Sequence, residues 1–500
     1  MFKKSVFLIV LFSGFVSFAQ EIVNSFPIDF KNNRDVFQIV NETTKKVTFF
    51  ASDRKEVRAF LLNDKMQITD SVKSIRPEKK YADIAGYNGD KSSPRLFWIS
   101  ENHKDIFSQN FDFVTKNSAN HEYKLKLQNE KFVQYFSLNE LFYIMTVVKD
   151  SNILKFYVFD SEGKMVEKSI DTPSLFFLNN ENLKTNLFGM LKEEIGLQSS
   201  YSVQKISPES TTSLVFSSKK RKCYILDNKV IMTFDSHWDY TQMLTIDLNS
   251  FIVSEKFIKK PFVSFQEKYD IDSNSYLFEG KLYQIKLSSS EFKLSVKSLD
   301  DVLLKEFAIS NDDPIDFKNS VILQKGNAFT NGDRVLEKTS QFLRKVKNNN
   351  CAISCYNLNQ NLLITLGGVS EIRGGAGGGM MMGGMGFGMA GALMMPGNIM
   401  FVPVYMNPIL DNFNSYRGRK VIYINCLFNK EIDHLQGEIK PLAFDKIQDF
   451  LTEESKNNLT LFSNPNNQVD SETVFKIDSV YYLGYYDKNT KQYTIRKFED

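Results

Sequence analysis

Residues 136–170 read FSLNELFYIMTVVKDSNILKFYVFDSEGKMVEKSI, and their pattern decides the fold of this chain. Short runs rich in Val, Ile, Phe, Tyr and Leu alternate with polar positions at a period of two. This period is typical of β-strands, whereas a helix would place its apolar residues three and four positions apart. Turn-forming residues such as 161–163 (SEG) separate the runs. The stretch therefore predicts a small antiparallel meander of successive hairpins.

The same pattern recurs along the chain with unequal spacing. The pairs Cys223-Tyr224 and Cys355-Tyr356 occupy equivalent places in two copies, which supports the alignment. Residues 81–127 are a weaker candidate for a further unit. The clear copies begin at Phe37, Phe136, Tyr224, Tyr276, Tyr356 and Phe475.

Six or seven consecutive meanders resemble the blades of β-propellers in general, of the exported bacterial type. The resemblance covers most of the chain and matches no specific propeller family. It implies an all-β fold, a six- or seven-bladed β-propeller of antiparallel meanders with a few inter-blade helices. Two β-sandwich domains are the alternative. Apolar stripes at helical spacing predict helices within residues 181–196, 333–347 and 443–456.

The first 19 residues are expected to be a signal peptide. Lys3 and Lys4 precede an uncharged apolar run, and Ser17 and Ala19 supply the small residues needed for cleavage. Cleavage after Ala19 lowers the formal net charge from +3 to +1, so nucleic acid is an unexpected partner. We expect residues 20–500 to form one propeller-like domain that is exported to the periplasm, the outer cell surface or the medium.

A Gly/Met-rich, low-complexity insertion at residues 367–418 interrupts the sixth copy between its second and third strands. Thirteen of the 25 glycines and nine of the 16 methionines lie between Gly367 and Met406. Glycine runs disfavour regular structure, and methionine is common on adaptable binding surfaces. The open interpretations are a mobile surface segment, an adhesive segment, a Cu(I) site and a transmembrane helix; we expect neither a metal site nor a stable membrane span. The residues expected to contact a partner or membrane are Met380, Met381, Met382, Met385, Phe387, Met389, Met394 and Met395.

The loop at residues 235–241 (DSHWDYT) gathers aromatic and hydrogen-bonding side chains at a strand junction. Aromatic faces beside such groups suit sugar rings or peptide side chains; the alternative is that Trp238 folds down over its own blade. In a propeller, the loops between second and third strands emerge on one face, so this loop and the insertion are expected to share it. The predicted ligand-binding residues are His237, Trp238, Asp239 and Tyr240.

No linear motif supports catalysis. The four histidines lack a second metal ligand at helical spacing, and the chain has neither a nucleophile elbow nor a phosphate-binding loop. The basic run at residues 219–222 (KKRK) is expected in a solvated turn, and the four cysteines are expected to be buried free thiols. The sequence favours a non-enzymatic module that binds a protein or carbohydrate partner at the cell envelope without a cofactor. The alternative is an envelope enzyme acting on carbohydrate or peptide at the channel mouth.

Overall fold

Seven sheets of four or five strands, antiparallel except for one parallel pair, follow one another along the described chain. The computed structural model describes residues 21–28, 35–41, 44–89, 92–207, 210–264, 270–326, 333–370, 408–415, 420–456 and 469–500. Each sheet packs against the sheets on either side of it, which is the arrangement of propeller blades and differs from two facing sheets of a sandwich. The predicted all-β propeller is confirmed, with seven blades.

Blades 1 to 3 each consist of four consecutive strands, ordered from the axis outward. An isolated strand, β1 (Ile22–Pro27), precedes them. Blade 1 contains β2 (Asp35–Asn41), β3 (Lys46–Ser52), β4 (Glu56–Leu62) and β5 (Ile68–Ile75). Blade 2 contains β6 (Tyr81–Asn88), β7 (Arg95–Ser100), β8 (Asp105–Asp112) and β9 (Asn117–Lys124). Blade 3 contains β10 (Glu130–Leu138), β11 (Leu141–Val148), β12 (Leu154–Phe159) and β13 (Met165–Ile170).

Short elements separate blade 3 from blade 4. They are β14 (Phe177–Leu178), β15 (Lys184–Thr185), α1 (Leu187–Lys192), β16 (Gln204–Ile206) and α2 (Leu214–Ser217). Blade 4 contains β17 (Arg221–Leu226), β18 (Lys229–Phe234), β19 (Tyr240–Asp247) and β20 (Val253–Lys259). Blade 5 contains β21 (Asp272–Phe278), β22 (Lys281–Leu287), β23 (Glu291–Ser298) and β24 (Leu303–Ser310).

Blade 6 is assembled out of sequence order. Its outer strands come first in the chain, so that the order from the axis is β27, β28, β29, β25 and β26. The elements are β25 (Ile322–Lys325), β26 (Arg334–Leu336), α3 (Thr339–Lys347), β27 (Asn350–Leu358), β28 (Asn361–Val369), α4 (Pro408–Asn414) and β29 (Val421–Phe428). After α5 (Ala443–Lys456), blade 7 contains β30 (Val469–Ile477), β31 (Val480–Asp487) and β32 (Gln492–Glu499).

The two ends of the described chain close the ring. Strand β1 pairs antiparallel with β32 and becomes the outer strand of blade 7. The Phe26 side chain packs on Phe49 of blade 1 and Tyr493 of blade 7, with ring centroids 6.2 and 5.9 Å away. The inner strands β2 and β30 also touch. Blade 7 is therefore completed by the segment that precedes blade 1.

Tight turns join the first and second strands of blades 3 to 6. In each of them two successive residues have positive φ, which matches the right-handed twist of a two-residue hairpin. Asn, Asp and Gly tolerate this conformation best, and the turn at Glu279-Gly280 uses a glycine. The pairs are Asn139-Glu140, Asp227-Asn228, Glu279-Gly280 and Asn359-Gln360.

The three predicted helices are present with different lengths. Helix α5 has the predicted bounds, whereas α1 and α3 occupy only parts of residues 181–196 and 333–347. In the second case residues 334–336 form β26 instead, because they pair with β25 at the outer edge of blade 6. Within the described ranges, no helix combines the length and apolarity needed to cross a membrane.

Candidate ligand-binding face

Strand order defines one face of the propeller, which we name the loop face. Because neighbouring strands are antiparallel, the connections between second and third strands and those between blades emerge on this side. The loop between β18 and β19, residues 235–239, lies here. The chain also leaves β28 after Val369 and returns to β29 at Val421 on this face.

Two of the sequence predictions fall outside the described residues. The first is the signal peptide at residues 1–19, and the second is the set of insertion contacts, Met380, Met381, Met382, Met385, Phe387, Met389, Met394 and Met395. Both stay predictions. Gly367 and Gly368, the first glycines of the Gly/Met-rich region, belong to strand β28.

The side chain of His237 lies inside the loop and holds the loop backbone by hydrogen bonds. Its side chain is buried, and Nδ1 accepts hydrogen bonds from the backbone N–H groups of Asp239 (3.1 Å) and Tyr240 (3.2 Å). Since Nδ1 is an acceptor, the ring proton lies on Nε2, which is 3.0 Å from Oδ1 of Asn182. The imidazole thus fixes the loop conformation in its neutral form.

Trp238 and Tyr240 are partly exposed on the outside of the same loop. Lys286, from β22 of blade 5, places its Nζ 5.5 Å from the Trp238 ring centroid and 2.9 Å from Oδ1 of Asp239. The Trp238 and His237 rings stack at 5.8 Å. The structure therefore brings all four predicted residues together and ties their loop to the neighbouring blade.

Three of the four residues in the basic run 219–222 are buried and Lys219 is half-buried, so the prediction of a solvated turn was wrong. Lys220 is 7% exposed, and Arg221 and Lys222 are 0% exposed. Arg221 begins strand β17, and its guanidinium is enclosed by main-chain oxygens. It donates at 2.8–3.0 Å to the carbonyls of Met190, Leu191, Glu193 and Ser199. Arg221 thereby anchors α1 and the turn that follows it.

Asp235 is the centre of a buried charge cluster beneath the loop. Its carboxylate lies 3.2 Å from Nζ of Lys222 and 3.5 Å from Nζ of Lys260, and all three side chains are inaccessible to solvent. The hydroxyls of Thr241 and Ser275 donate to it at 2.7 Å. Because Ser275 belongs to β21, the cluster holds blades 4 and 5 together.

The cluster also supports the loop directly. Lys260 donates to the carbonyl oxygens of Asp235 (3.1 Å) and His237 (2.7 Å). Burial by itself would raise the pKa of Asp235, but the ammonium groups of Lys222 and Lys260 outweigh it and lower the pKa to about 2. Burial lowers the pKa of Lys260 to about 8, against the opposing effect of Asp235.

A cavity of about 550 Å³ opens on the loop face between blades 2 and 3. Aromatic and imidazole rings form part of its wall: His103 stacks on Phe132 with centroids 4.1 Å apart, and Tyr201 lies among the other lining residues. Asn102 and Asn129 add amide groups. Sequence reasoning missed this cavity because its residues come from separate connections, none of which carries a motif.

Polypeptide occupies the central channel. Strand β16 pairs in parallel with β17 on its channel side. In the segment that follows, Thr212 accepts hydrogen bonds from Ser354 of β27 (2.7 Å) and Tyr276 of β21 (2.8 Å). Helix α4 joins this segment through Asn412, whose Nδ2 donates to the Thr211 carbonyl (3.0 Å). The channel is thus a packed region in which inner strands of several blades meet.

The four cysteines are buried free thiols, as predicted: Cys223, Cys351, Cys355 and Cys426. Burial raises the pKa of each. In the described part of the chain, no group of three or more His, Cys, Asp or Glu residues could hold a metal ion.

Comparison with known proteins identifies no family. No protein-family model matches the chain, and no curated protein is similar to it. Solved structures with partial similarity include the β-propeller domain of the Trilobed protease from Pyrococcus furiosus, with 10% identity, a TM-score of 0.27, and 67% of this chain and 79% of that chain covered. A quinoprotein alcohol dehydrogenase-like protein from Bacteroides thetaiotaomicron has 10% identity and a TM-score of 0.22, with 57% and 68% covered. A prolyl endopeptidase has 7% identity and a TM-score of 0.29; the match covers 67% of this chain but only 38% of the endopeptidase.

Proposed function

We propose that this chain is an exported, non-enzymatic binding module that uses the loop face to hold a carbohydrate. The observation that carries the proposal is the cavity between blades 2 and 3, where rings and amides share one wall. Sugar rings present apolar C–H faces and a rim of hydroxyls, so a site for them needs both kinds of group. Phe132 and Tyr201 supply the first kind, and Asn102 and Asn129 supply the second.

The carboxylate nearest this cavity is engaged in internal contacts, which supports a binding role. Glu130 lines the cavity, yet its side chain is only 2% exposed. It accepts hydrogen bonds from Thr146 (2.8 Å), Lys155 (2.9 Å) and Tyr157 (3.0 Å). Glycoside hydrolysis canonically requires two carboxyl groups that flank the scissile bond and can exchange protons with it. Glu130 is held in an ion pair instead.

The remaining features of the loop face enlarge the surface available to a long or branched partner. Trp238 and Tyr240 stand partly exposed between blades 4 and 5, and the insertion leaves and re-enters the propeller on the same side. As the second form of the proposal, these elements bind a protein partner. This form is favoured if deleting residues 374–396 abolishes a stable association that the cavity variants leave intact.

The experiment is calorimetric titration of the mature chain, residues 20–500, with soluble oligosaccharides of β-glucan, chitin, xylan and peptidoglycan. We expect saturable binding of at least one of them. Phe132→Ala and Tyr201→Ala should each weaken it by about fivefold, because a lost ring contact is worth roughly 1 kcal/mol. Val114→Ala, in the turn between β8 and β9 on the opposite face, is the control: Val114 is 76% exposed and lies outside the cavity, so affinity should stay unchanged.

Three outcomes would contradict the proposal. If no oligosaccharide binds, the carbohydrate proposal is wrong. If both ring variants bind with wild-type affinity, the cavity is not the binding site. Release of new reducing ends during incubation would support the alternative, an envelope enzyme.

Export has its own test. Expressed with residues 1–19 in a Gram-negative host, the protein should be recovered from the periplasm or medium with Gln20 as its first residue, as measured by intact mass. Cytoplasmic protein that retains residues 1–19 would contradict export.

A further inference from the structure

A second recess lies on the face opposite the loop face, again between blades 2 and 3. This cleft has a volume of about 580 Å³. Its wall combines the start of β7, residues between 119 and 123 of β9, and the turn between β12 and β13. The lining residues that matter below are Arg95, Asn120, His121, Tyr123, Glu162 and Lys164.

Arg95 is a buried cation that forms no ion pair with any carboxylate of the described chain. Its residue is 7% exposed. The guanidinium donates only to the Ser108 hydroxyl (3.2 Å) and the Ser161 carbonyl (3.3 Å), and its Nε has no hydrogen-bond partner. Burial lowers the pKa of Arg95, and electrostatic interactions with Tyr123 and Asp160 oppose the shift. At least two of its five N–H donors therefore remain for a ligand.

Two other arginines of this protein show how such a charge is usually satisfied. Arg76, in blade 1, is held by the Asp35 carboxylate at 2.6 Å. Arg221 donates four short bonds to main-chain carbonyls. Arg95, in contrast, lies within ion-pair distance of no carboxylate of the described chain and donates only two long hydrogen bonds, although it lines an open cleft.

Gly163 keeps the guanidinium accessible from the cleft. It occupies the turn between β12 and β13 with φ of +86°, and a Cβ there would lie 2.8 Å from the Tyr123 hydroxyl and 3.0 Å from Nη1 of Arg95. The Tyr123 hydroxyl donates to the Gly163 carbonyl, which fixes the turn. A side chain at this position would cover Arg95.

We propose that this cleft binds a carboxylate, which Arg95 holds through its unused N–H donors. Lys164 adds a second positive charge at the rim and Glu162 adds a negative one, so the lining residues carry one net positive charge apart from His121, and the charge of Asp160, outside the lining, offsets part of it. One charge matches a carboxylate better than a doubly charged phosphate. Paired N–H donors of a guanidinium also fit the two oxygens of a carboxylate. The group could belong to a free organic acid or to an acidic residue of a polymer.

The test is a titration of residues 20–500 by calorimetry with formate, glucuronate and N-acetylglutamate. Each acid is compared with its neutral counterpart: formamide, glucuronamide or N-acetylglutamine. We expect saturable binding of at least one acid and at least tenfold weaker binding of its neutral form, because a hydrogen bond to a charged group contributes that much. Polyglucuronate, compared with monomeric glucuronate, distinguishes the two sources. A higher affinity of the polymer indicates a polymeric ligand, whereas the same affinity per glucuronate residue indicates a free acid.

Two variants test the site, and the second is placed at an exposed position so that a loss of binding cannot be ascribed to unfolding. Arg95→Gln should abolish binding, and Lys164→Glu, at an exposed position, should weaken it at least tenfold while the melting temperature stays unchanged. Lys124→Glu makes the same charge change at an exposed lysine outside the cleft and should leave affinity unchanged. The proposal is overturned if no acid binds, if acid and neutral form bind equally, if Lys124→Glu and Lys164→Glu behave alike, or if only inorganic phosphate binds.

Discussion

The ammonium group of Lys222 and the carboxylate of Asp235 lie 3.2 Å apart, and neither side chain has any solvent exposure. Lys222 belongs to the innermost strand of blade 4, and Asp235 follows its second strand. Together with Lys260 they form a charged layer between the core of the blade and the His237–Tyr240 loop. The stability of this face and the shape of its loop therefore depend on one buried carboxylate.

Removal of that carboxylate should be strongly destabilising. Asp235→Asn leaves Lys222 and Lys260 without a buried counter-ion, a change that typically costs about 3–5 kcal/mol. Urea unfolding followed by far-UV circular dichroism measures the change in free energy. Asp300→Asn is the matched control, because Asp300 pairs with Lys256 at 2.7 Å but is 82% exposed; its cost should be much smaller, since solvent screens an exposed ion pair. Similar costs for the two variants would show that the cluster does not hold the blades.

Because the pKa of Asp235 is lowered on folding, we expect the free energy of unfolding to decrease in acid. The pKa of Asp235 is lowered from 3.8 to about 2 in the folded protein. Its contribution is therefore fully present above pH 3.8 and is lost as pH falls towards 2. The difference corresponds to a contribution on the order of 2 kcal/mol. Unfolding free energies measured between pH 5 and pH 2 should fall more steeply for the wild type than for Asp235→Asn. Parallel curves would contradict the assignment.

The sequence predicted the propeller but not this cluster, for a physical reason. Alternation at a period of two is written locally in every blade, so strands such as β11 and β19 can be identified from their own residues. Whether Lys222 is buried depends on Asp235, which follows the next strand, and on contacts with blade 5 that no local pattern records. The alignment at Cys223-Tyr224 did place the preceding residue beside a strand. That signal was outweighed by the general preference of basic runs for water.

Because β1 closes the ring, its contacts with blades 1 and 7 should contribute to the stability of the protein. Phe26 is 6% exposed and joins β1 to rings of both blade 1 and blade 7. Phe26→Ala should cost about 3–5 kcal/mol through lost burial and the resulting cavity. Ile22→Ala on the same strand is the control: Ile22 is 51% exposed, so we expect a cost within about 0.5 kcal/mol. Thermal and urea unfolding distinguish the two variants. If Phe26→Ala leaves the free energy of unfolding unchanged, β1 does not close the ring.

Because the four cysteines are buried, we expect their thiols to be unreactive in the folded protein. Because burial excludes reagent and raises the thiol pKa values, the folded protein should not react with a thiol-specific reagent within minutes at pH 8. In urea without reductant, four thiols per chain should react. A count of two would reveal a disulfide. Ser161→Cys, at an exposed position, provides a positive control that should react at once in the folded state.

Helix α4 should dock in the channel more firmly as pH falls. Burial raises the pKa of Asp411 to about 7, although Lys205 of β16 opposes the shift. For a carboxyl with a raised pKa, stability is fully present below the unfolded value and is lost as pH rises through the folded value. Asp411 should thus cost the folded protein more stability at pH 8 than at pH 5, where only part of the cost is present because pH 5 lies between the unfolded and folded pKa values. Asp411→Asn removes the charge, so it should raise the melting temperature by more at pH 8 than at pH 5. Asp449→Asn, an exposed carboxyl on α5, should change neither. If Asp411→Asn instead lowers the melting temperature at pH 8, Asp411 is charged in the folded channel and its attraction to Lys205 exceeds the cost of burial.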